Sequence, residues 1–411
     1  MFLPNAQTYR SALFPRRILR RRFFLVFALV FLLWSTAEVI LIRHRLLNAD
    51  TTHPATTPRR DRVYIASIHW NNEEILRSHW NNAILQLAEA LGPENVYLSV
   101  FESGSWDGTK MALQELDRSL DILCVARNIT VSEKTHHDEI SASTVGDGWI
   151  DTPQGRKELR RIPYLASLRN LSLQPLYALL ANGITFDRIL FLNDVVFTTH
   201  DVLNLIDTNQ GEYAAACSLD FSKPPLYYDT FALRDSLGKE HVMQTWPYFR
   251  SSESRNAMKY MSPVPVASCW NGMVSMPTSP FYADLPLAFR GVSNSLALSH
   301  VEGSECCLIH ADNPLTREKG VYLNPLVRVG YNPTAYSLVH PAYSWLSMWQ
   351  MYQSLWENRM RRMFTSTFLK DWVIRRRVAS WETQDGGNYE PGQFCLINEM
   401  QVLRENGWAH V

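Results

Sequence analysis

The chain has 411 residues, with 46% hydrophobic residues, 13 Trp, and a 19% charged share that lies below the roughly 25% usual for soluble globular chains. It shows no low-complexity tract, heptad array or internal repeat, which excludes a disordered, collagenous or coiled-coil protein. Lys and Arg (40) balance Asp and Glu (40), but the first 22 residues hold six Arg and no acid, so the remainder is mildly acidic and nothing points to nucleic acid.

The first element is apolar. Phe23 to Ile42 is a 20-residue stretch, long enough to cross a bilayer as a helix. Phe23 to Trp34 is uninterrupted; Ser35, Thr36 and Glu38 weaken the rest, with Glu38 about one turn from the end and within reach of the interface. Arg16, Arg17, Arg20, Arg21 and Arg22 precede the stretch, and only Arg43 and Arg45 follow closely, which predicts a cytoplasmic amino end and a lumenal body. A cleaved signal peptide with a small-x-small site at Ser35-Thr36-Ala37 is the alternative. Both readings send the chain into the secretory pathway, in keeping with the sequons at Asn128 and Asn170. The predicted division is a tail (1–22), an anchor (23–42), a stem (43–61), a catalytic-sized domain (62–336), and a carboxyl-terminal extension packed on it (337–411).

After the stem, strands alternate with helices. Arg62 to Ile68 reads as a strand, Glu73 to Leu91 as a helix stopped at Gly92-Pro93, and Asn95 to Phe101 as a strand. Thr109 to Leu120 reads as a helix, with Ala112, Leu113, Leu116 and Leu120 inward, and Asp121 to Arg127 as a strand. A polar loop from Ser132 to Gln154, including His136-His137-Asp138-Glu139, reads as solvated. A helix over 160–181, bent or broken at Pro175, leads to strands at Arg188–Leu192 and Tyr213–Leu219. The pattern predicts an α/β, Rossmann-type, mostly parallel sheet with helices on both faces and ligands beyond the carboxyl ends of its strands. Six Cys allow 15 disulfide connectivities; Cys124 and Cys217, in apolar runs, read as small packed hydrophobes.

Polar clusters fall at the predicted strand ends: Ser67 to Glu73, Glu102 to Thr109, Asn193-Asp194, and Ser218 to Asp220. Asp107 reads as a helix cap that is also placed for a nucleotide. An acid directly after a buried strand, as in Phe191-Leu192-Asn193-Asp194-Val195, suits a hard divalent cation with positions left open for phosphate. Transferases of nucleotide sugars use Asp-x-Asp at such a place; here the tripeptide is Asn193-Asp194-Val195, one carboxylate short.

Further segments sharpen the reading. They are Asn95 to Thr109 (NVYLSVFESGSWDGT), Arg161 to Asn170 (RIPYLASLRN), Phe191 to Phe197 (FLNDVVF) and Tyr228 to Asp235 (YDTFALRD). They continue with Cys269 to Met273 (CWNGM), Glu302 to His310 (EGSECCLIH) and Asn324 to Tyr331 (NPLVRVGY). In this order they resemble the fungal α-1,3-mannosyltransferase and capsule-associated protein family, glycosyltransferase family 69, over about two thirds of the chain. The resemblance implies a GT-A-like fold and a type II Golgi or other secretory-pathway membrane protein with a lumenal catalytic domain. It also implies transfer of mannose from GDP-mannose, with a divalent metal such as Mn²⁺, to a mannoside or polysaccharide acceptor in capsule or cell-wall synthesis. A non-catalytic member that assists polysaccharide assembly or export, or a transferase of another nucleotide sugar, is the alternative.

Roles follow from that class. Asp194 is the expected metal ligand and His310 a candidate second one. Arg169 is set for a phosphate, Asn193 for the ribose or for orienting Asp194, and Trp270 and Asn271 for the face and hydroxyls of a sugar. Transfer from an α-linked donor to an α-linked product retains configuration, so a carboxylate is expected at the reacting sugar. Glu305 is the first choice, with Asp229, Asp235 and Glu302 as the others.

Overall fold

The computed structural model describes residues 13–51, 61–142, 146, 148–152 and 155–411, so parts of the predicted tail and stem lie outside it. Helix α1 (Leu13–Thr51) outruns the predicted anchor at both ends, because no Gly or Pro interrupts the sequence between Arg16 and His53. It contains Arg22–Asn48, a segment long and apolar enough to cross a membrane, with mean hydropathy 2.4. Its second half is not free: Val39, Ile42 and Leu46 are buried in the main core.

Strand β1 (Val63–His69) is an almost wholly buried run. A helical stretch from Glu73, widened by a π turn over Leu76–Trp80, continues as α2 (Asn81–Leu91), whose Ala83, Ile84, Leu87, Ala88 and Leu91 face the sheet. Gly92, at φ +88°, ends it. Strand β2 (Val96–Glu102) and helix α3 (Thr109–Ile122) follow. Strand β3 (Ala126–Val131) starts later than predicted, because α3 runs on to Ile122 and Cys124 turns the chain at φ +56°. Helix α4 (Arg161–Ala181) runs through Pro175 without breaking.

Next come β4 (Arg188–Leu192), α5 (Thr199–Ile206), β5 (Ala215–Lys223), β6 (Leu226–Tyr227), β7 (Arg234–Asp235) and α6 (Ser252–Tyr260). They lead to β8 (Val264–Ser268), β9 (Met273–Pro277), α7 (Glu305–Asp312) and β10 (Val321–Gly330). Helices α8 (Met348–Phe364) and α9 (Phe368–Glu382) and the hairpin β11 (Gln401–Arg404) and β12 (Gly407–His410) complete the chain.

Among the described residues, ten strands form one sheet in the order β3-β2-β1-β4-β9-β5-β10-β8-β7, with β6 on β5. The half from β3 to β4 is parallel, as expected. The other half is mixed: β9 lies antiparallel between β4 and β5, and only β5 and β10 pair in parallel. A tight return makes this possible. Gly272, at φ +89°, has its carbonyl 2.9 Å from the Asn193 amide, and a Cβ there would come within 2.6 Å of Val329. The fold is α/β, with the carboxyl ends of β1, β4 and β5 on one edge.

Three local expectations change. Cys217 is not a free core residue: it pairs with Cys269, while Cys307 pairs with Cys395 in the extension, and Cys124 is exposed. His136 is not solvated; it opens a short helix and stacks on Trp70 with ring centroids 4.2 Å apart. The Asn170 sequon lies within α4, where its amide both donates to and accepts from the Phe289 backbone, leaving no free acceptor for a glycan. Asn128 sits exposed on the edge strand β3.

Candidate active site

Past the carboxyl ends of β4 and β5 lies a cavity of about 620 Å³. Asn193 and Asp194 form its floor directly after β4, and the β4–β1 register, with Ser67 opposite Leu192, brings the end of β1 alongside. The Asn72 amide donates to Asp194 Oδ2 at 2.9 Å, and the Trp80 indole donates to the Asn193 carbonyl at 3.1 Å. The Asn193 side chain is fixed at both ends: Trp270 Nε1 donates to its Oδ1 at 3.1 Å, and its Nδ2 donates to the Tyr331 hydroxyl at 3.2 Å. The floor is thus preorganised by bonds to rigid elements.

Helix α4 supplies one wall. Arg161, Leu165 and Arg169 recur every four residues and so share a face, and all three line the cavity. Arg169 lies 4.5 Å over the Trp270 ring and donates from Nε to Glu305 Oε1 at 3.1 Å. Glu305 is presented by the first turn of α7. Asp229 lies beside it, its Oδ1 accepting from the backbone amides of Phe231 and Ala232 at 3.0 and 3.1 Å. Behind Asp229, Asp220 at the end of β5 accepts from the Asn271 amide at 2.9 Å and the Tyr331 hydroxyl at 3.3 Å. The extension provides the remaining wall through Glu399, Gln401, Trp408 and His410.

Asp194, Asp229 and Glu305 therefore line one cavity, together with Glu240 and Glu399 at its other wall, with Asp220 directly behind. Burial pushes the Asp194 carboxyl up to about 6, against the pull of the Asn72 amide and the Arg169 charge. Burial and the Asp229 charge push Asp220 up, and burial raises Asp229, with Glu305 adding to it. A hard carboxylate whose ionisation burial opposes, as at Asp194, fits a divalent cation, whose charge would relieve that resistance. Asp194, facing the cavity directly after β4, is the residue that would hold it.

The raised Asp194 value has a measurable consequence. The folded chain retains a proton there that the unfolded chain loses near about pH 4, so this residue's contribution to stability falls as pH rises from about 4 to about 6. The whole-protein profile mixes this with the buried His69, His241 and His310, which burial lowers to about 4 and which therefore weaken the fold on the acid side. The Asp194→Asn variant isolates the contribution of this one carboxyl. Without metal, Asp194→Asn is expected to gain about 1–3 kcal/mol over wild type near pH 8 and nothing below about pH 4. Denaturant titrations at both pH values check this; equal differences at both would show that Asp194 is not strained.

The other predicted residues are elsewhere. The Glu302 carboxylate lies outside the cavity, fully buried, with Arg160 Nη2 and Nε donating to its two oxygens at 2.7 and 3.1 Å. Asp235 caps a loop, accepting from the amides of Leu237, Lys239 and Ser251. Asp107 is a cap only: it accepts from the amides of Thr109 and Glu73 and does not line the cavity. His310 is sealed in the core with Nε2 2.6 Å from the Cys269 carbonyl, and the sulfurs beside it, Cys217 and Cys269, are joined in a disulfide rather than free for a metal. Trp270 lines the cavity but is buried, and Arg169 covers its face; Asn271 is buried behind, on Asp220. Neither offers itself directly to a sugar ring.

Sequence reasoning placed Asp220 in a polar cluster at a strand end but gave no site role to Arg161, Tyr228, Tyr331 or the hairpin residues Trp408 and His410. The four-residue spacing from Arg161 to Arg169 was the available signal for Arg161. Nothing in the local sequence announces that residues about 100 positions beyond α7 would return to the site.

Residues 62–312, more than half of the chain, match the family model described as cryptococcal mannosyltransferase 1. An α-1,3-mannosyltransferase of Cryptococcus neoformans is 25% identical over 246 residues, covering 56% of this chain and 49% of the relative, so the chain matches about half the length of that protein. Among solved structures, a mannosyltransferase of Pyrobaculum calidifontis in complex with GDP-mannose and Mn²⁺ aligns at a TM-score of 0.39 and 13% identity, covering 89% of this chain and 77% of that one. TarS of S. aureus with UDP aligns at 0.35 and 10%, covering 78% and 72%. By the family match, this chain belongs to the cryptococcal mannosyltransferase 1 family.

Proposed function

We propose that the chain is a metal-dependent glycosyltransferase that moves mannose from GDP-mannose to a mannoside hydroxyl, α-1,3 with retention, in cell-wall or capsule glycan synthesis. We place it in a Golgi or other secretory-pathway membrane with its catalytic domain lumenal. The observation that carries the reading is Asp194, fixed after β4 in a cavity it shares with Glu305, Asp229 and two arginines of α4. Family membership supports mannose as the sugar, and the name of the matched relative motivates the α-1,3 linkage in this proposal.

Asp194 would hold a divalent ion at the cavity floor, and that ion would supply charge stabilisation for a departing diphosphate. Arg161, whose guanidinium stacks 4.8 Å over Trp408 at the cavity wall, is placed to pair with a phosphate. Arg169 holds Glu305 in position, so the carboxylate faces the cavity in one orientation. Asp229 and Glu305 are the two remaining candidates for contact with the anomeric carbon. Tyr228 is exposed and stands 4.5 Å from Tyr331, giving a sugar ring an apolar face that the covered Trp270 does not provide.

The test is transfer by the purified full chain, with a panel of GDP- and UDP-sugars, simple mannosides and Mn²⁺. Mannosyl transfer from GDP-mannose that stops on chelation is the expected result. Absence of both donor binding and transfer across the panel would favour a non-catalytic role in polysaccharide assembly.

A further inference from the structure

We propose that the catalytic domain does not stand off the bilayer on a stem but is partly immersed in it, with the start of α8 inserted in the leaflet from which α1 emerges. The proposal rests on reading α1 as a membrane anchor.

Arg22 holds the start of the apolar run at headgroup level, since a guanidinium can bury its stem but not its charge. From there, Phe23 to Trp34 is exposed along its length, and Ser35 is the first residue of the run to be buried by the domain. Twelve helical residues span about 18 Å, while the hydrocarbon core is about 30 Å thick. The deficit of about 12 Å must be covered by the part of α1 already docked on the domain, through Ser35, Val39, Ile42 and Leu46. Whatever packs there lies at membrane depth.

The chemistry of that contact fits. Glu38 is the only acid in the span, and the domain neutralises it with two cations: Lys259 Nζ at 2.7 Å, and Arg359, which also lies 4.6 Å over the Trp34 ring. A carboxylate facing water would not need this; one in hydrocarbon would. Ile40 and Leu41, on the side of α1 turned away from the domain, are exposed and apolar.

A ladder of rings leads outward from the anchor onto α8. Phe27 stacks with Phe31, Phe31 meets Trp356 at 4.7 Å, and Trp356 leads through Tyr352 to Trp349. Trp349 is 71% exposed in the first turn of α8, where water gives a large aromatic no reason to be. Trp and Tyr are the side chains that favour the membrane interface.

Nitroxide accessibility in the full chain, reconstituted in phosphatidylcholine bilayers, tests this. The native exposed Cys124 is labelled as the aqueous reference; in a Cys124→Ser background, Phe27→Cys reports the anchor and Trp349→Cys the immersed face. Both substituted sites are exposed, so neither change disturbs the core. The expected result is a ratio of oxygen to water-soluble chelate accessibility at both sites an order of magnitude above that at Cys124. A lipid-like Phe27→Cys with a water-like Trp349→Cys overturns the immersion while the anchor stands. A water-like Phe27→Cys overturns the anchor reading and the proposal with it.

Discussion

Asp194→Asn is expected to lower mannosyl transfer by about 10²–10³-fold, as removal of one preorganised charge-stabilising group does, and to abolish the metal dependence of donor binding. The substitution keeps size and an acceptor oxygen, so the Asn72 amide retains a partner and the floor of the cavity stays in place. The fold should melt no earlier than wild type, because the residue removed is one whose ionisation the fold opposes. Titration calorimetry with Mn²⁺ and GDP-mannose, beside a thermal melt, separates the two effects. Unchanged metal-dependent binding in a folded variant would transfer the ligand role to Asp229 or Glu305.

The reason Asp194 could be read from sequence, and its neighbours only in part, is physical. A buried apolar strand followed at once by an acid is a local pattern: β4 holds the backbone, and the next side chains must emerge at its carboxyl end. The parallel half of the sheet was legible on the same grounds, from alternating strand and helix periods. The mixed half was not, because β9 enters between β4 and β5 through the turn at Gly272, a pairing between distant segments that no local period encodes.

Partner choice was also hidden. Glu302 and Glu305 lie three residues apart in one tract and look equivalent as letters. The first belongs to a short bridge with Leu396–Ile397 and turns into the core toward Arg160; the second opens α7 and turns into the cavity toward Arg169. His310 and Asp235 fail for a related reason: an acceptor or donor aimed at nearby backbone looks, in sequence, like one aimed at a ligand. The extension reaches the site because the Cys307–Cys395 disulfide and the pairing of Glu302–Gly303 with Leu396–Ile397 tie it back, and such pairings cannot be chosen from spacing alone.

That difference between neighbouring glutamates gives the second large effect. Glu302→Gln is expected to destabilise the fold by about 3–5 kcal/mol, because it leaves the Arg160 guanidinium buried without a counter-charge. Burial on its own pushes the Glu302 carboxyl up, and Arg160 only partly offsets this, so the pair is costly to bury and its integrity matters more than its net attraction. Replacing both members, Arg160→Met with Glu302→Leu, should therefore recover much of the loss, which a single structural hydrogen bond would not predict. Glu305→Gln should do the reverse. Its partner Arg169 borders the cavity and keeps the Trp270 face, so the melt changes little, while transfer falls by about 10²-fold or more through loss of a carboxylate at the reacting sugar. Urea titration of the three variants beside their transfer rates decides between these roles. A stable but inactive Glu302→Gln, or an unfolded Glu305→Gln, would exchange the assignments made from the geometry.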